Sequence, residues 1–292
     1  MNRFPNYFAD AEAGFKESDY VIFGVPYDKT SSFRYGARKA PFEIRQASWN
    51  FESFHIDTKT DLTKIKVHDY GDVDISDMES AEMVKIVEDF TIKIIKENKI
   101  PIAIGGEHSI TSGIISALSK NYSNLNVVFL DAHLDFRDSY EGNKFNHACS
   151  LRRVADVVGI ENVVNLGIRS AEKEEYESAL EKKLYFVESQ TIRSKGVSAV
   201  INEIKKRLSN NLYLSLDFDV IDPSFAPAVS TPEPFGLTPY EVLELIRHLA
   251  SRIVGFDIVE VCPPYDNGET SLLAAKMIRL AVDEFWRSKR LS

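Results

Sequence analysis

Short apolar runs alternate with amphipathic segments along almost the whole chain. Several runs are nearly continuous in apolar residues, which is typical of parallel strands buried on both faces of a sheet. The runs predict eight strands, at residues 20–27, 66–73, 101–104, 126–133, 163–168, 183–187, 212–219 and 253–259. Because strands and helical patterns alternate, we expect an α/β fold whose parallel sheet is a broad open sheet or a closed barrel.

The segments between these runs carry apolar residues at helical spacing. In the predicted helix over residues 81–98, Val84 and Val87 fall on one face. The predicted helices span residues 81–98, 109–119, 147–158, 172–182, 197–208, 239–249 and 271–287. The clearest start signal is Thr238 as N-cap, followed by Pro239 at the first helical position and Glu241 at the third.

Composition narrows the class of protein. The 292 residues are 44% hydrophobic and contain no repeat or Gly/Ser linker, which predicts a single domain over residues 1–292. A net charge of −9 argues against nucleic acid or an anionic membrane as a partner. Two cysteines, Cys149 and Cys262, cannot form a disulfide framework, and no signal peptide or membrane span is visible. We therefore expect a cytoplasmic protein.

Two acidic runs and one histidine form the main chemical signal. Potential metal ligands occupy every second residue in both runs, and alternate side chains of a strand point to one face. The candidate ligands are His108, Asp131, His133, Asp135, Asp217 and Asp219. They lie at or just beyond the carboxyl ends of the third, fourth and seventh predicted strands, where ligands gather in a parallel sheet.

This set of ligands predicts a site for two divalent cations. Four carboxylates balance the charge of two dications, and the absence of thiolates favours Mn²⁺-like ions. Structural caps and turn formers are the alternative reading of isolated aspartates at strand ends. Two alternating acidic sets together with a Gly-Gly-Glu-His turn favour the metal site.

Further residues near these runs could act on a substrate. His147 is a candidate proton shuttle, and Glu260 could pair with a planar guanidinium. Thr231 could add a hydroxyl to the same group, while Glu107 is expected to support the site from outside the ligand set. A nucleophilic role for Cys149 is disfavoured, because small buried cysteines are common.

These motifs resemble those of the ureohydrolases, the superfamily of arginases and agmatinases. The resemblance runs from residues 24–28 to the last helix and implies an α/β/α sandwich with an eight-stranded parallel sheet. It also implies two Mn²⁺ ions per subunit, with Asp131 and Asp217 bridging them. Glu260 would bind the guanidinium and His147 would relay protons. Members of the superfamily usually assemble as trimers or hexamers, so a homotrimer or homohexamer is expected here.

The loop over residues 136–146 bears on the choice of guanidine substrate. It does not match the arginase pattern and is similar to that of prokaryotic agmatinases, which make putrescine for polyamine biosynthesis. Asp138 and Glu141 would favour an ammonium end on the substrate, whereas Arg137 points the other way. Agmatine is therefore the expected substrate, giving putrescine and urea. Aminopropylagmatine, a guanidino acid such as guanidinobutyrate, and arginine remain alternatives.

Two other functional classes stay open at this point. A metal-dependent deacylase on a related fold would bind one zinc ion, and the six-ligand set argues against it. A non-catalytic scaffold would have no need to keep every ligand.

Overall fold

A twisted sheet of eight parallel strands forms the centre of the molecule. The computed structural model describes residues 6–75 and 77–291. Its strands are β1 (Tyr20–Val25), β2 (Phe54–His55), β3 (Thr60–Asp61), β4 (Val67–Asp72), β5 (Ile100–Gly105), β6 (Leu125–Leu130), β7 (Val163–Ile168), β8 (Tyr185–Glu188), β9 (Asn211–Asp217) and β10 (Ile253–Val259). The sheet has the order β4-β1-β5-β10-β9-β6-β7-β8, and β2 and β3 form a separate antiparallel pair.

Helices cover both faces of this sheet. They are α1 (Ala40–Ser48), α2 (Ser80–Ile95), α3 (Thr111–Ser119), α4 (Ser150–Val158), α5 (Lys173–Glu181), α6 (Ser189–Lys195), α7 (Val197–Ile204), α8 (Pro239–Leu249) and α9 (Glu269–Leu291). One apolar core lies beneath α2–α5, and the other beneath α1 and α6–α9. The predicted three-layer α/β/α sandwich is therefore confirmed, and the barrel is excluded because β4 and β8 lie at opposite ends of the strand order and do not pair with each other.

The strands are apolar on both faces because each face contacts a core. In β9, Leu212, Leu214 and Leu216 pack with the helices of one face, and Tyr213 packs with those of the other. Along the described part of the chain, no helix is both long and apolar enough to cross a membrane.

Four predicted strands end earlier than the apolar pattern suggested, namely those expected over residues 20–27, 66–73, 126–133 and 212–219. The strand expected over residues 126–133 stops at Leu130, and the one expected over residues 212–219 stops at Asp217. Most of the candidate ligands therefore lie beyond the strands rather than on them. The sequence pattern also missed α6 and the short pair β2 and β3.

The sequence pattern also missed helix α1, because ion pairs help to anchor this helix and leave little apolar periodicity in the sequence. Its buried Arg45 binds Asp69 at 2.7 Å and Asp72 at 2.5 Å, both on β4. Apolar burial is limited to a few positions such as Ala40 and Ile44. A helix held in this way shows little apolar periodicity in its sequence.

The strand order brings distant segments together. Strands β5, β10, β9 and β6 are consecutive in the middle of the sheet, although β10 is the last strand in the chain. Because parallel strands end at the same edge, the residues that follow these four strands meet there.

The start of α8 provides a test of local stability. Thr238 accepts a hydrogen bond from the Glu241 N–H at 3.2 Å, and Glu241 accepts one from the Thr238 N–H at 2.7 Å. We expect Thr238→Ala to lower the free energy of unfolding by about 1 kcal/mol, since it removes the cap. Urea unfolding measures the loss. Glu241→Gln retains an acceptor and should cost less, and equal losses would contradict the reciprocal cap.

Candidate metal centre

The imidazole of His108 lies close to three carboxylates at the carboxyl edge of the sheet. His108 begins the short 3-10 helix (His108–Ile110) that follows β5, and its side chain is fully buried. Its Nδ1 lies 3.3 Å from an oxygen of Asp131, 3.3 Å from one of Asp135 and 3.0 Å from one of Asp217. We refer to these four residues as the His108 group.

A second group lies beside the first and shares one residue with it. His133 Nδ1 is 2.9 Å from Asp219 Oδ2 and 3.8 Å from Asp131 Oδ1. We refer to His133, Asp131 and Asp219 as the His133 group. Each group offers at least three ligand atoms close enough to surround one ion, and Asp131 contributes an atom to both. All six predicted ligands are thus brought together by the fold.

Turns rather than strand alternation aim these side chains. Asp131 Oδ1 accepts a hydrogen bond from the His133 N–H at 2.6 Å, and Asp217 Oδ1 accepts one from the Asp219 N–H at 2.9 Å. Both are Asx turns, in which a carboxylate bends the chain by binding the N–H two residues on. The expected convergence is found, but the expected strand geometry was wrong. Asp135, two residues beyond His133, adopts a positive φ of +47°.

The donor set fits a pair of hard or borderline divalent cations. His108 Nδ1 and Asp131 Oδ2 belong to the same group, and both are buried without a hydrogen-bond partner in the part of the chain that the structure describes. Buried polar atoms normally have partners, so atoms of this kind indicate a ligand. Carboxylate oxygens and imidazole nitrogens without thiolates suit Mn²⁺ and similar ions better than a cysteine-rich zinc site.

The electrostatics of the centre reflect crowded negative charge. Burial, together with Asp219 and Asp131, raises the pKa of Asp217 well above its usual range. Burial and Asp131 likewise raise the pKa of Asp135 to about 7. Burial opposes a charged imidazole at His133, yet the carboxylates of Asp219 and Asp131 raise its pKa to about 10. A bound cation would offset the negative charge of the carboxylates, which contributes to all three shifts.

A pocket of about 280 Å³ opens over the two groups. Glu260, from the end of β10, lines this pocket and is nearly inaccessible to solvent. Its Oε1 accepts a hydrogen bond from the His108 N–H at 2.7 Å, whereas its buried Oε2 has no hydrogen-bond partner within residues 6–75 and 77–291. Burial raises the pKa of Glu260 to about 7. The backbone of Glu260 has a φ of +65°, a strained conformation for a residue with a side chain.

His147 lies against the same pocket from another direction. Its Nε2 is 3.1 Å from the Ser32 hydroxyl, and its Nδ1 is 3.8 Å from Glu260 Oε1. Burial lowers the pKa of His147, so the neutral ring is favoured. A neutral imidazole next to a hydroxyl can accept or release a proton at the pocket wall.

The segment that supports His147 was not predicted. Thr30, in the loop after β1, accepts a hydrogen bond from the His147 N–H at 2.9 Å. The buried Glu107 accepts bonds from the Thr30 N–H at 2.7 Å and from the Ser109 hydroxyl at 2.6 Å. The supporting role expected of Glu107 therefore extends to a loop 77 positions away in the chain. No local sequence signal indicated Thr30 or Ser32.

The remaining predicted residues occupy different positions. Thr231 lines the pocket, but its hydroxyl donates to Asp219 Oδ2 at 3.2 Å. Asp138 faces away from the pocket, because it is exposed and pairs with Arg153 at 2.9 Å. Glu141 is exposed at the tip of a turn with a φ of +50°. Neither acidic residue of this loop lines the pocket, contrary to expectation.

Other acidic residues lie at the mouth of the pocket. Glu172 and Glu175 line it together with Arg137, which is 3.5 Å from a carboxylate oxygen of each. Arg137 also stacks over the Tyr140 ring, 4.6 Å from its centroid. Arg137 is the one arginine or lysine among the described residues of the lining, and two carboxylates already neutralise it.

The chain is similar to known proteins in both sequence and structure. The model of the Arginase family matches residues 18–282. An agmatinase of Pyrococcus horikoshii is 39% identical over 267 residues, covering 90% of each chain. An N(1)-aminopropylagmatine ureohydrolase of Thermococcus kodakarensis is 37% identical over 267 residues, covering 90% of this chain and 89% of the relative. The structure of an agmatine ureohydrolase of Thermoplasma volcanium superposes with a TM-score of 0.93 at 42% identity, covering 98% of this chain and 96% of that one.

The shared position of Asp131 leads to a prediction about metal content. Asp131→Asn should remove most of both ions from protein loaded with Mn²⁺, since one substitution weakens a ligand in each group. Elemental analysis after gel filtration measures the content. Asp138→Asn, an exposed aspartate in the neighbouring loop, is the matched control and should leave the content unchanged. An Asp131→Asn protein that retained its full metal content would contradict the shared-ligand arrangement.

Proposed function

The chain belongs to the arginase family, within the ureohydrolase superfamily, and we propose that it hydrolyses agmatine to putrescine and urea. The observation that carries this proposal is the position of Glu260. Glu260 lines a pocket that members of both candidate metal groups also line, and its buried Oε2 has no hydrogen-bond partner among the described residues. A guanidinium paired with that oxygen would lie over the ions.

The His108 group and the His133 group would hold the two Mn²⁺ ions, with Asp131 shared between them. When bound, such ions would supply a hydroxide nucleophile near neutral pH. Bridging by Asp217 as well remains a prediction. Its Oδ2 faces His108, while its Oδ1 accepts a backbone hydrogen bond.

The protein's own residues would bind and orient the substrate and move its proton. Glu260 is fixed by the bond to the His108 N–H, so its free oxygen is already oriented for a guanidinium N–H. The departing amine needs a proton, and His147 lies on the pocket wall within hydrogen-bond distance of Ser32. Thr231 would orient Asp219 through their hydrogen bond.

The charge at the pocket mouth supports a substrate with a cationic tail. The carboxylates of Glu172 and Glu175 outnumber the guanidinium of Arg137, which leaves a net negative charge there. An ammonium group such as that of agmatine would be attracted, while a carboxylate would be repelled. This assigns to Glu172 and Glu175 the role that the sequence suggested for Asp138 and Glu141.

A longer guanidine such as aminopropylagmatine is the second candidate. A depression of about 480 Å³ adjoins the pocket and shares Ser170, Ala171 and Glu172 with it. Glu188 lines the far side of this depression. An aminopropyl extension that left the pocket over Ser170 would therefore find room in this depression, where Arg169 and Lys173 balance the charges of Glu172 and Glu188.

Urea release tests the proposal directly. Protein loaded with Mn²⁺ is offered agmatine, aminopropylagmatine, guanidinobutyrate and arginine in parallel, and the highest kcat/KM is expected for agmatine. A preference for aminopropylagmatine would support the second candidate. A preference for guanidinobutyrate or arginine would contradict the reading of the pocket mouth, and no urea from any of the four would contradict the ureohydrolase proposal.

Glu260→Gln should weaken substrate binding while the metal content stays normal. Losing a charge-assisted hydrogen bond costs roughly 1.5–3 kcal/mol, so kcat/KM for agmatine should fall at least about tenfold. Steady-state kinetics and elemental analysis measure the two effects. Glu177→Gln, on the exposed face of α5, is the control. A normal kcat/KM in Glu260→Gln would remove this residue from the mechanism.

Glu172→Gln tests the origin of tail specificity. We expect a higher KM for agmatine and a smaller difference between agmatine and guanidinobutyrate, because one negative charge leaves the pocket mouth. Glu174→Gln, an exposed glutamate on the first turn of α5 that does not line the pocket, is the matched control. An unchanged ratio of the two kcat/KM values would assign specificity to other residues.

The resemblance to the ureohydrolases also supports assembly into a homotrimer or homohexamer. A groove of about 430 Å³ between the pair of β2 and β3 and helices α8 and α9 has a mostly apolar lining. The exposed side chains of Phe54, Ile56 and Tyr240 line this groove. Light scattering on the purified protein would measure the oligomeric state.

A further inference from the structure

A fully buried carboxylate lies beneath the candidate metal centre without contacting it. Asp257, in the middle of β10, is inaccessible to solvent and accepts three hydrogen bonds from hydroxyl groups. Its Oδ1 accepts from Ser215 at 2.7 Å. Its Oδ2 accepts from Thr111 at 2.7 Å and from Tyr213 at 2.6 Å.

The register of the sheet connects this carboxylate to a candidate ligand. Asp257 and Ser215 are direct cross-strand partners on β10 and β9, so their side chains lie next to each other on one face. On the same face, the Ser215 hydroxyl oxygen is 3.0 Å from His108 Nε2. The result is a chain of hydrogen bonds from the ring of His108 through Ser215 to Asp257.

The number of available protons determines which group donates and which accepts in this series of hydrogen bonds. A hydroxyl has one proton to donate, and Asp257 Oδ1 has no hydrogen-bond donor other than Ser215 among the described residues. If Ser215 donated to His108 instead, Oδ1 would be a buried acceptor without a partner, which is unfavourable. Ser215 is therefore an acceptor toward His108, and Nε2 must be the nitrogen that carries the ring proton.

We infer that Asp257 is a positioning residue that, through Ser215, holds His108 in the tautomer that leaves its Nδ1 free for a metal ion. This inference rests on the proposed metal site. A histidine can ligate through Nδ1 only when that nitrogen carries no proton, and the partner of the other nitrogen sets the tautomer. In the structure, Nδ1 is the atom that faces the three carboxylates of the His108 group.

The substitution Asp257→Asn reverses the direction of the chain with little change in volume. Thr111 and Tyr213 both donate to one side of residue 257, so the amide oxygen would face them and the amide NH₂ would face Ser215. Ser215 would then accept from the amide and donate to His108 Nε2. The ring proton would move to Nδ1, where the ion should bind.

Calorimetric titration of the full chain with Mn²⁺ tests the inference. Two ions are expected for the wild type, and Asp257→Asn should weaken the ion of the His108 group about 10–100-fold while the ion of the His133 group changes less. Tyr213→Phe is the matched control. It removes a donor to Asp257 but keeps Ser215 in place, so both affinities should be retained. Wild-type affinities in Asp257→Asn, or equal weakening of both ions, would overturn the inference.

A second measurement uses only the wild-type protein and therefore does not depend on a variant folding correctly. In the wild-type protein loaded with diamagnetic Zn²⁺, the His108 Nε2–H should give a hydrogen-bonded, slowly exchanging proton signal in NMR spectra. A rapidly exchanging Nε2–H would overturn the inference. Neither measurement depends on urea release. Two bound ions without any urea would therefore contradict the proposed function alone, and a wild type that bound no ion would contradict the metal site.

Discussion

Buried negative charge at the carboxyl edge of the sheet is the constraint on which the rest of the structure depends. An ionised carboxylate without compensation is very costly to bury, because the protein interior cannot replace its hydration. Here Asp131 and Asp217 each accept a hydrogen bond from a backbone N–H, and Asp257 accepts hydrogen bonds from three hydroxyl groups. Among the described residues, His108 Nδ1 and Asp131 Oδ2 are buried atoms without a hydrogen-bond partner, and both belong to residues that could hold a cation.

The order of the strands is the means by which the chain concentrates this charge. Because β10 inserts between β5 and β9, Glu260 reaches the N–H of His108, which is 152 positions earlier in the chain. The apolar strands beneath bury both faces of the sheet and hold its edge rigid. Binding of ions to such an edge would favour the folded state over the unfolded one by mass action, so metal loading and stability are linked.

The apolar pattern predicted the sheet well and placed six candidate ligands at its carboxyl edge, because buried parallel strands leave continuous apolar runs and polar residues at their ends. It predicted the strand ends less well, since the Asx turns at Asp131 and Asp217 end the strands before the apolar pattern does. The loop of Asp138 could not be read from sequence, because its direction depends on the tertiary partner Arg153. The same holds for Thr30, which reaches the site through Glu107.

The backbone at the site has a consequence for the evolution and engineering of this protein. Asp135 and Glu260 both adopt positive φ angles, at +47° and +65°, which glycine adopts at little cost and other residues do not. Glycine at either position would relieve the backbone strain and would also delete a carboxylate from the pocket. At residue 260 it would in addition remove the acceptor of the buried His108 N–H, so part of the gain in backbone energy would be lost again. A thermostable design should therefore exclude both positions from its library.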